Sequence, residues 1–168
     1  MTTRTLDLGC GPRIQNPFGA DELYGVDVRE DLESNVFKAD LVTDTIPFAN
    51  NFFDFVTALD FLEHIPRLIY LPRRRLPFVE LMNEIHRVLK VDGLFLSYTP
   101  AYPHAATFAD PTHVNIITEH TFQAYFVQGW AGGYGWNGNF SMIEQKWVGP
   151  HLQTILRKTA NVKLADKS

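Results

Sequence analysis

Leu6-Asp7-Leu8-Gly9-Cys10-Gly11-Pro12 (residues 6–12) decides how the rest of this chain is read. The apolar run from Thr5 to Leu8 is cut off by two glycines and a proline, which marks a short strand ending in a turn. Glycines at 9 and 11 let the backbone turn tightly and leave no side chain between it and a ligand. The same grammar recurs downstream. Leu23-Tyr24-Gly25-Val26-Asp27 is a second run closed by an acid, and Asn35–Asp40 is a third. Phe53–Leu59 is almost continuously apolar, as expected of a central strand buried on both faces. Leu76–Lys90 carries Phe78, Leu81, Met82, Ile85, Val88 and Leu89 at helical spacing. Asp92-Gly93 reads as its stop, and Leu94–Tyr98 as a fifth strand.

Strands that alternate with helical segments pair in parallel through right-handed crossovers. The expected fold is therefore α/β, a doubly wound and mostly parallel sheet. Ligands of such sheets sit beyond the carboxyl ends of the strands. Those ends carry Asp7 with the glycines, Asp27, Asp40, Leu59-Asp60 and Thr99-Pro100. The last third reads differently. Thr118–Phe126 is expected to be a short helix, and residues 128–139, with five glycines, a loop. Phe140–Trp147 and His151–Thr159 flank Gly149-Pro150 and are expected to form an antiparallel hairpin at one sheet edge. The tail after Val162 is expected to fray.

Composition bounds the possibilities. The chain has 168 residues, enough for a single domain over 1–168 with a core that needs no covalent staple. Fifteen basic residues against nineteen acidic ones give a net charge of −4. A broad nucleic-acid-binding surface is therefore not expected. The lone cysteine, Cys10, excludes an internal disulfide framework. No apolar run has the length of a membrane span, and Met1-Thr2-Thr3-Arg4 does not read as a signal peptide, so a cytoplasmic protein is expected.

With these motifs in order, the sequence resembles the class I S-adenosylmethionine-dependent methyltransferases, a Rossmann-like fold. The resemblance rests on LDLGCGP (6–12), YGVDV (24–28), ADL (39–41) with IPF (46–48), FDFVTALDFLEHI (53–65) and EIHRVLKVDGLFL (84–96). It implies that S-adenosylmethionine is the cofactor and that residues of about 4–100 bind it. Gly9, Cys10 and Gly11 would pass under its methionine and ribose. Asp7 would orient that loop, and Asp27 would take the ribose hydroxyls with Val28 against the adenine. Asp40 and the Leu41 backbone would meet the adenine edge. Leu59 and Asp60 would sit by the methionine amino group. Arg13 replaces a third glycine found in many members. The chain also starts almost at the first strand, without the N-terminal helices that usually cover the cofactor.

The acceptor side is expected in residues 101–168. Tyr98–His104 and Asp110-Pro111-Thr112-His113 follow the fifth strand, and the latter resembles a DPTH segment of some bacterial methyltransferases linked to surface sugars. His113 is the expected base, since imidazole accepts a proton near neutral pH, and Asp110 is expected to orient it or to hold an acceptor hydroxyl. The alternative is that Asp110 and Thr112 only shape a turn. His104, Asp110, His113 and His120 lack the spacing of a tight zinc motif, so no metal is expected. His64 in Leu62-Glu63-His64 reads as structural, and Arg73-Arg74-Arg75 as a solvated loop. Trp130, Tyr134 and Trp136 read as a mobile aromatic lid or as core packing. The expected reaction is O- or N-methylation of a small molecule or glycan building block. A homodimer would cover the open cofactor edge. The competing reading is a non-catalytic, cofactor-binding subunit that acts through a partner.

Overall fold

The computed structural model describes residues 2–70 and 72–160. The expectation for the residues after Val162 lies outside them. All seven strands belong to one sheet: β1 (Arg4–Leu8), β2 (Glu22–Asp27), β3 (Val36–Lys38), β4 (Phe53–Leu59), β5 (Leu89–Pro100), β6 (Phe140–Val148) and β7 (His151–Lys158). Their order in space is β3-β2-β1-β4-β5-β7-β6. The first five are parallel, and β7 runs antiparallel between β5 and β6. The chain winds outward from β1 in one direction and from β4 in the other. The topological switch point, where such sheets bind ligands, therefore lies between β1 and β4.

The expected strands and the terminal hairpin are present, but the crossovers are leaner than the alternating pattern suggests. Among the described residues only α1 (Pro77–Val88), between β4 and β5, is an α-helix. Its proline-led first turn and its face of Phe78, Leu81, Met82, Ile85 and Val88 explain why it forms and which side it buries. Residues 9–21 and 39–52, which link β1 to β2 and β3 to β4, are loops and turns. In place of a helix before β4, the rings of Tyr24, Phe37, Phe48, Phe52 and Phe53 lock edge to face at 4.8–5.7 Å. On the face away from α1, the 9–21 loop lies over the sheet and stacks Phe18 on Phe55 at 4.6 Å.

Three further boundaries depart from the sequence reading. α1 stops at Val88, and Asp92-Gly93 lies inside the early part of β5, where Asp92 takes a left-handed φ of 66° and the pairing with β4 is irregular. The segment near Thr118–Phe126 is a π-helical turn at Gln123–Val127. The glycine-rich stretch contains a 3₁₀ turn at Trp130–Tyr134. No helix among the described residues is long and apolar enough to cross a membrane.

The last turn of α1 is completed from far along the chain. Lys158, buried on β7, donates from Nζ to the carbonyls of His86 (2.7 Å) and Leu89 (2.7 Å) and to Asn51 Oδ1 (2.8 Å). A cation here meets the negative end of the helix dipole and the carbonyls that a helix end leaves orphaned. His86 packs between Trp136 and Phe140 and accepts a bond from the Asn139 N–H at Nε2. Burial and the Lys158 charge push its pKa down to about 4.

Candidate functional site

The carboxyl ends of β1, β2 and β4 build one edge. Leu8 gives way to Gly9 and Gly11, with φ of 64° and 59°, values that side chains rarely adopt. The Gly9 N–H donates to Val26 O (2.8 Å) and the Gly11 N–H to Asp27 Oδ2 (3.0 Å), so the loop is hung from the end of β2. The Phe61 ring occupies the place a Cβ would take at Gly9. Asp7 braces the loop from below. Almost wholly buried, it accepts from the Gln15 N–H (2.8 Å) and from Thr57 Oγ1 (2.7 Å). Burial raises its pKa against the pull of those two bonds. Each of its oxygens thus accepts one bond from the protein.

Cys10 is buried and packed against Gly25. Burial first, then the charges of Asp7 and Asp27, push its thiol up to about 11. It is not a nucleophile at neutral pH, in keeping with a small packing residue.

Asp27 ends β2 with its carboxylate at the rim. Oδ1 accepts from the Arg29 N–H (3.1 Å) and from Arg29 Nε (3.0 Å). Burial alone would raise its pKa, but the Arg29 and Gly11 bonds outweigh that and hold it below the ordinary value. Val28 beside it is 63% exposed, an apolar surface at the rim. Asp40 is exposed and accepts from the Val42 N–H (3.0 Å) in a turn, while the Leu41 side chain is in the core and leaves only its backbone for recognition. Asp60, just past Leu59, has a left-handed φ of 49°, and its Oδ1 meets His151 Nε2 at 2.8 Å.

These features fit S-adenosylmethionine. The side-chain-free loop at positive φ lies beside an acid that retains a lone pair, and an apolar residue follows that acid at the rim. In that arrangement Asp27 would hold the ribose, Val28 and Leu41 would border the adenine with Asp40, and Asp60 would face the amino acid end. The cofactor, when bound, supplies an activated methyl group on a sulfonium.

A cavity of about 360 Å³ is lined by Asp60, Glu63, His64, Asp110, His113 and His151, with Pro100, Ala106 and Ala109. The sequence had pointed to Asp110 and His113. The structure brings both here, but in separate tasks. The Asp110 carboxylate bonds the Thr112 N–H (2.8 Å) and Oγ1 (2.6 Å), so it shapes the turn and does not orient the His113 ring. His113 Nδ1 instead faces Thr107 O at 3.2 Å.

His64, which reads as structural in the sequence, and Glu63, which its motif does not single out, join His113. The two imidazoles lie 5.0 Å apart, and the buried Glu63 accepts from Thr99 Oγ1 at 2.8 Å. Glu63, His64 and His113 form the one group of three such donors among the described residues, while His104 and His120 line a different hollow. Arg75 is not a free loop cation, since it pairs with Glu80 beside the start of α1. Of the three glycine-loop aromatics, Trp136 is core, whereas Trp130 and Tyr134 are exposed beside a cleft that also contains Phe78 and Tyr125.

The strand order, the switch-point loop and the acid at the end of β2 define a class I methyltransferase fold. The methyltransferase-domain family matches residues 2–128, and the chain belongs to that family, whose cofactor in this class is S-adenosylmethionine. Among solved structures, the PH0226 protein of Pyrococcus horikoshii is similar at 20% identity and a TM-score of 0.63, over 95% of this chain and 83% of that one. A SAM-dependent methyltransferase of Archaeoglobus fulgidus is similar at 18% identity and a TM-score of 0.58, over 94% and 86%. The YcgJ protein of Bacillus is similar at 20% identity and a TM-score of 0.56, but this chain spans only 65% of its length. A methyltransferase solved with the Haloferax volcanii Trm112 activator is similar at 13% identity and a TM-score of 0.61, over 95% and 84%. None of the curated proteins matches the chain.

Proposed function

We propose that this protein transfers a methyl group from S-adenosylmethionine to an oxygen or nitrogen of a small molecule or glycan building block. The observation that carries this is the cavity between Asp60 and His113. It opens beside the cofactor edge and has the volume of a small-ligand pocket. Methyl transfer from a sulfonium needs chiefly an aligned acceptor and a place for its proton. Asp60 and His151 would position the acceptor. His113, its Nδ1 spoken for by a carbonyl, would receive the proton at Nε2. The chain would act as a single cytoplasmic domain, its residues 101–168 serving the acceptor.

The experiment is formation of S-adenosylhomocysteine by the isolated chain, with a panel of hydroxylated aromatics and nucleotide sugars. His113→Ala is expected to cut turnover by about 10²-fold or more while leaving cofactor affinity unchanged. Undiminished turnover in that variant would refute the base assignment.

One observation favours a second reading, a subunit that is active only with a partner. Among the described residues, the sheet face away from α1 carries a loop and no α-helix. A second copy or another protein would cover it. Turnover by the isolated monomer would sink this reading, and turnover only in a complex would support it.

A further inference from the structure

Glu63 and His64 sit on a 3₁₀ turn (Leu62–His64) just after β4, and His113 sits on the segment that follows β5. The backbone fixes the two pieces together. Glu63 O accepts from the N–H groups of Val114 and Asn115, both at 2.9 Å, and the buried Asn115 returns a bond from Nδ2 to Leu62 O at 3.0 Å. Arg67 Nε then holds Asn115 Oδ1 at 2.6 Å. The relative placement of His64 and His113 is therefore built into the fold and does not depend on a flexible loop.

The hydrogen bonds also fix both tautomers. His113 Nδ1 faces only a carbonyl, Thr107 O, so that nitrogen must carry the proton. His64 Nδ1 faces Thr112 O at 3.3 Å and Thr112 Oγ1 at 3.0 Å, and the Thr112 hydroxyl proton is directed to Asp110 at 2.6 Å. His64 Nδ1 therefore donates as well. Both Nε2 atoms are left with lone pairs. Glu63 has one carboxylate oxygen held by Thr99. Donor atoms of the three residues lie within 4.8 Å of one another, and neither ring hydrogen-bonds the carboxylate. Three donor groups gathered this closely at a half-buried point can be met together by one cation. Imidazoles anchored through Nδ1 to backbone carbonyls are the usual outer support of metal-binding histidines.

We propose that Glu63, His64 and His113 bind a divalent first-row transition cation, of the zinc, iron(II) or manganese type, with open coordination positions facing the acceptor cavity. Two imidazoles and one carboxylate favour such ions over magnesium or calcium. Bonds of about 2.0–2.2 Å would draw the three donors inward by a small movement of side chains. The cavity beyond the site carries Asp60 and His151, so the open positions face the place where an acceptor would lie. The use of the ion, though not its binding, rests on the methyltransferase reading.

The ion narrows the substrate class to an acceptor with a hydroxyl, or two neighbouring oxygens, that can ligate it. It also changes the part played by His113, whose Nε2 would then bind metal. The coordinated hydroxyl gives its proton to water through the open cavity. Its oxygen bonds the methyl carbon as the carbon–sulfur bond breaks, and that electron pair returns to sulfur.

The test uses untagged full-length protein, stripped by a chelator and titrated with Co²⁺, followed by visible absorption and calorimetry. One Co²⁺ per chain is expected, with His64→Ala and His113→Ala each weakening it by at least about 10–100-fold. His120→Ala, in an exposed residue outside the cluster, is expected to leave it unchanged. Glu63→Gln is the third variant, with circular dichroism as the check on folding. Absence of stoichiometric Co²⁺ by folded wild type, or binding that survives His64→Ala/His113→Ala, would overturn the proposal. S-adenosylhomocysteine titrated into the same samples separates the two readings. Cofactor binding without Co²⁺ binding refutes the metal site alone. Co²⁺ binding without cofactor binding upholds the site and removes the reading of the isolated chain as a working methyltransferase.

Discussion

Arg29 grips Asp27 through both its backbone N–H and its Nε, so the acid at the end of β2 enters any encounter with cofactor already partnered. The Arg29 side chain is 62% exposed and free to leave, whereas Asp27 is held at the rim by Gly11. For a ribose to engage both carboxylate oxygens, the guanidinium would have to leave Oδ1. Arg29→Ala is therefore expected to tighten S-adenosylhomocysteine binding by up to about fivefold, the reach of an exposed ion pair. Asp27→Ala is expected to weaken it by about tenfold or more. Calorimetric titration of the three proteins checks both, and a looser complex in Arg29→Ala would show that Arg29 itself contacts the ligand.

Gly9 and Phe61 form a second coupled pair, because the ring fills the space a Cβ would need. Gly9→Ala adds a left-handed φ penalty of about 1–2 kcal/mol to that collision. The variant is expected to be less stable and to bind cofactor poorly. Adding Phe61→Ala is expected to restore the collision part but not the backbone part. A denaturation cycle of the four proteins checks this, and strict additivity would refute the contact.

His86 sets an acid limit on the fold. Its folded pKa of about 4 lies below its unfolded value of 6.5, so the unfolded chain binds the proton more readily. Its contribution is complete above pH 6.5 and is lost as the pH falls through about 4. The slope within that window approaches about 1.4 kcal/mol per pH unit. Urea unfolding of wild type and His86→Gln between pH 7 and pH 4.5 is expected to give curves that converge as the pH falls. Parallel curves would exclude the histidine.

Lys158→Met keeps the apolar stem and removes three bonds at the end of α1. A loss of about 2–4 kcal/mol is expected, since buried carbonyls are left without a donor. The His86 pKa is expected to rise toward its ordinary value, because the Lys158 charge helps to depress it. Thermal melts and an NMR titration of the imidazole check the two effects separately.

The strands were legible because each pairs a short apolar run with an abrupt stop, as at Leu8-Gly9, Asp27 and Leu59-Asp60. The hairpin was legible from Gly149-Pro150. The missing crossover helices were not, because aromatic packing of Tyr24, Phe48 and Phe53 does locally what a helix would do and leaves no periodic trace. The order of the motifs is what points to the methyltransferase family and its cofactor. The cavity between Asp60 and His113 was only half visible. His64 and Thr112 are 48 residues apart, and what joins them is backbone hydrogen bonding through Glu63 and Asn115, to which sequence spacing is blind. Asp110 lines the same cavity, but its carboxylate shapes the Thr112 turn and does not reach the ring of His113.

The Lys158 contact spans 72 residues to His86, and the strand that carries it separates β5 from β6. A ribosome making this chain has therefore released the cofactor-binding strands and α1 well before the parts that finish them arrive. Until β7 emerges, β5 is an open edge with unpaired backbone groups, a template for pairing with other chains. Completion of this domain is accordingly a late event of its synthesis. A nascent chain halted at the β6–β7 turn would be an aggregation hazard rather than a smaller working enzyme.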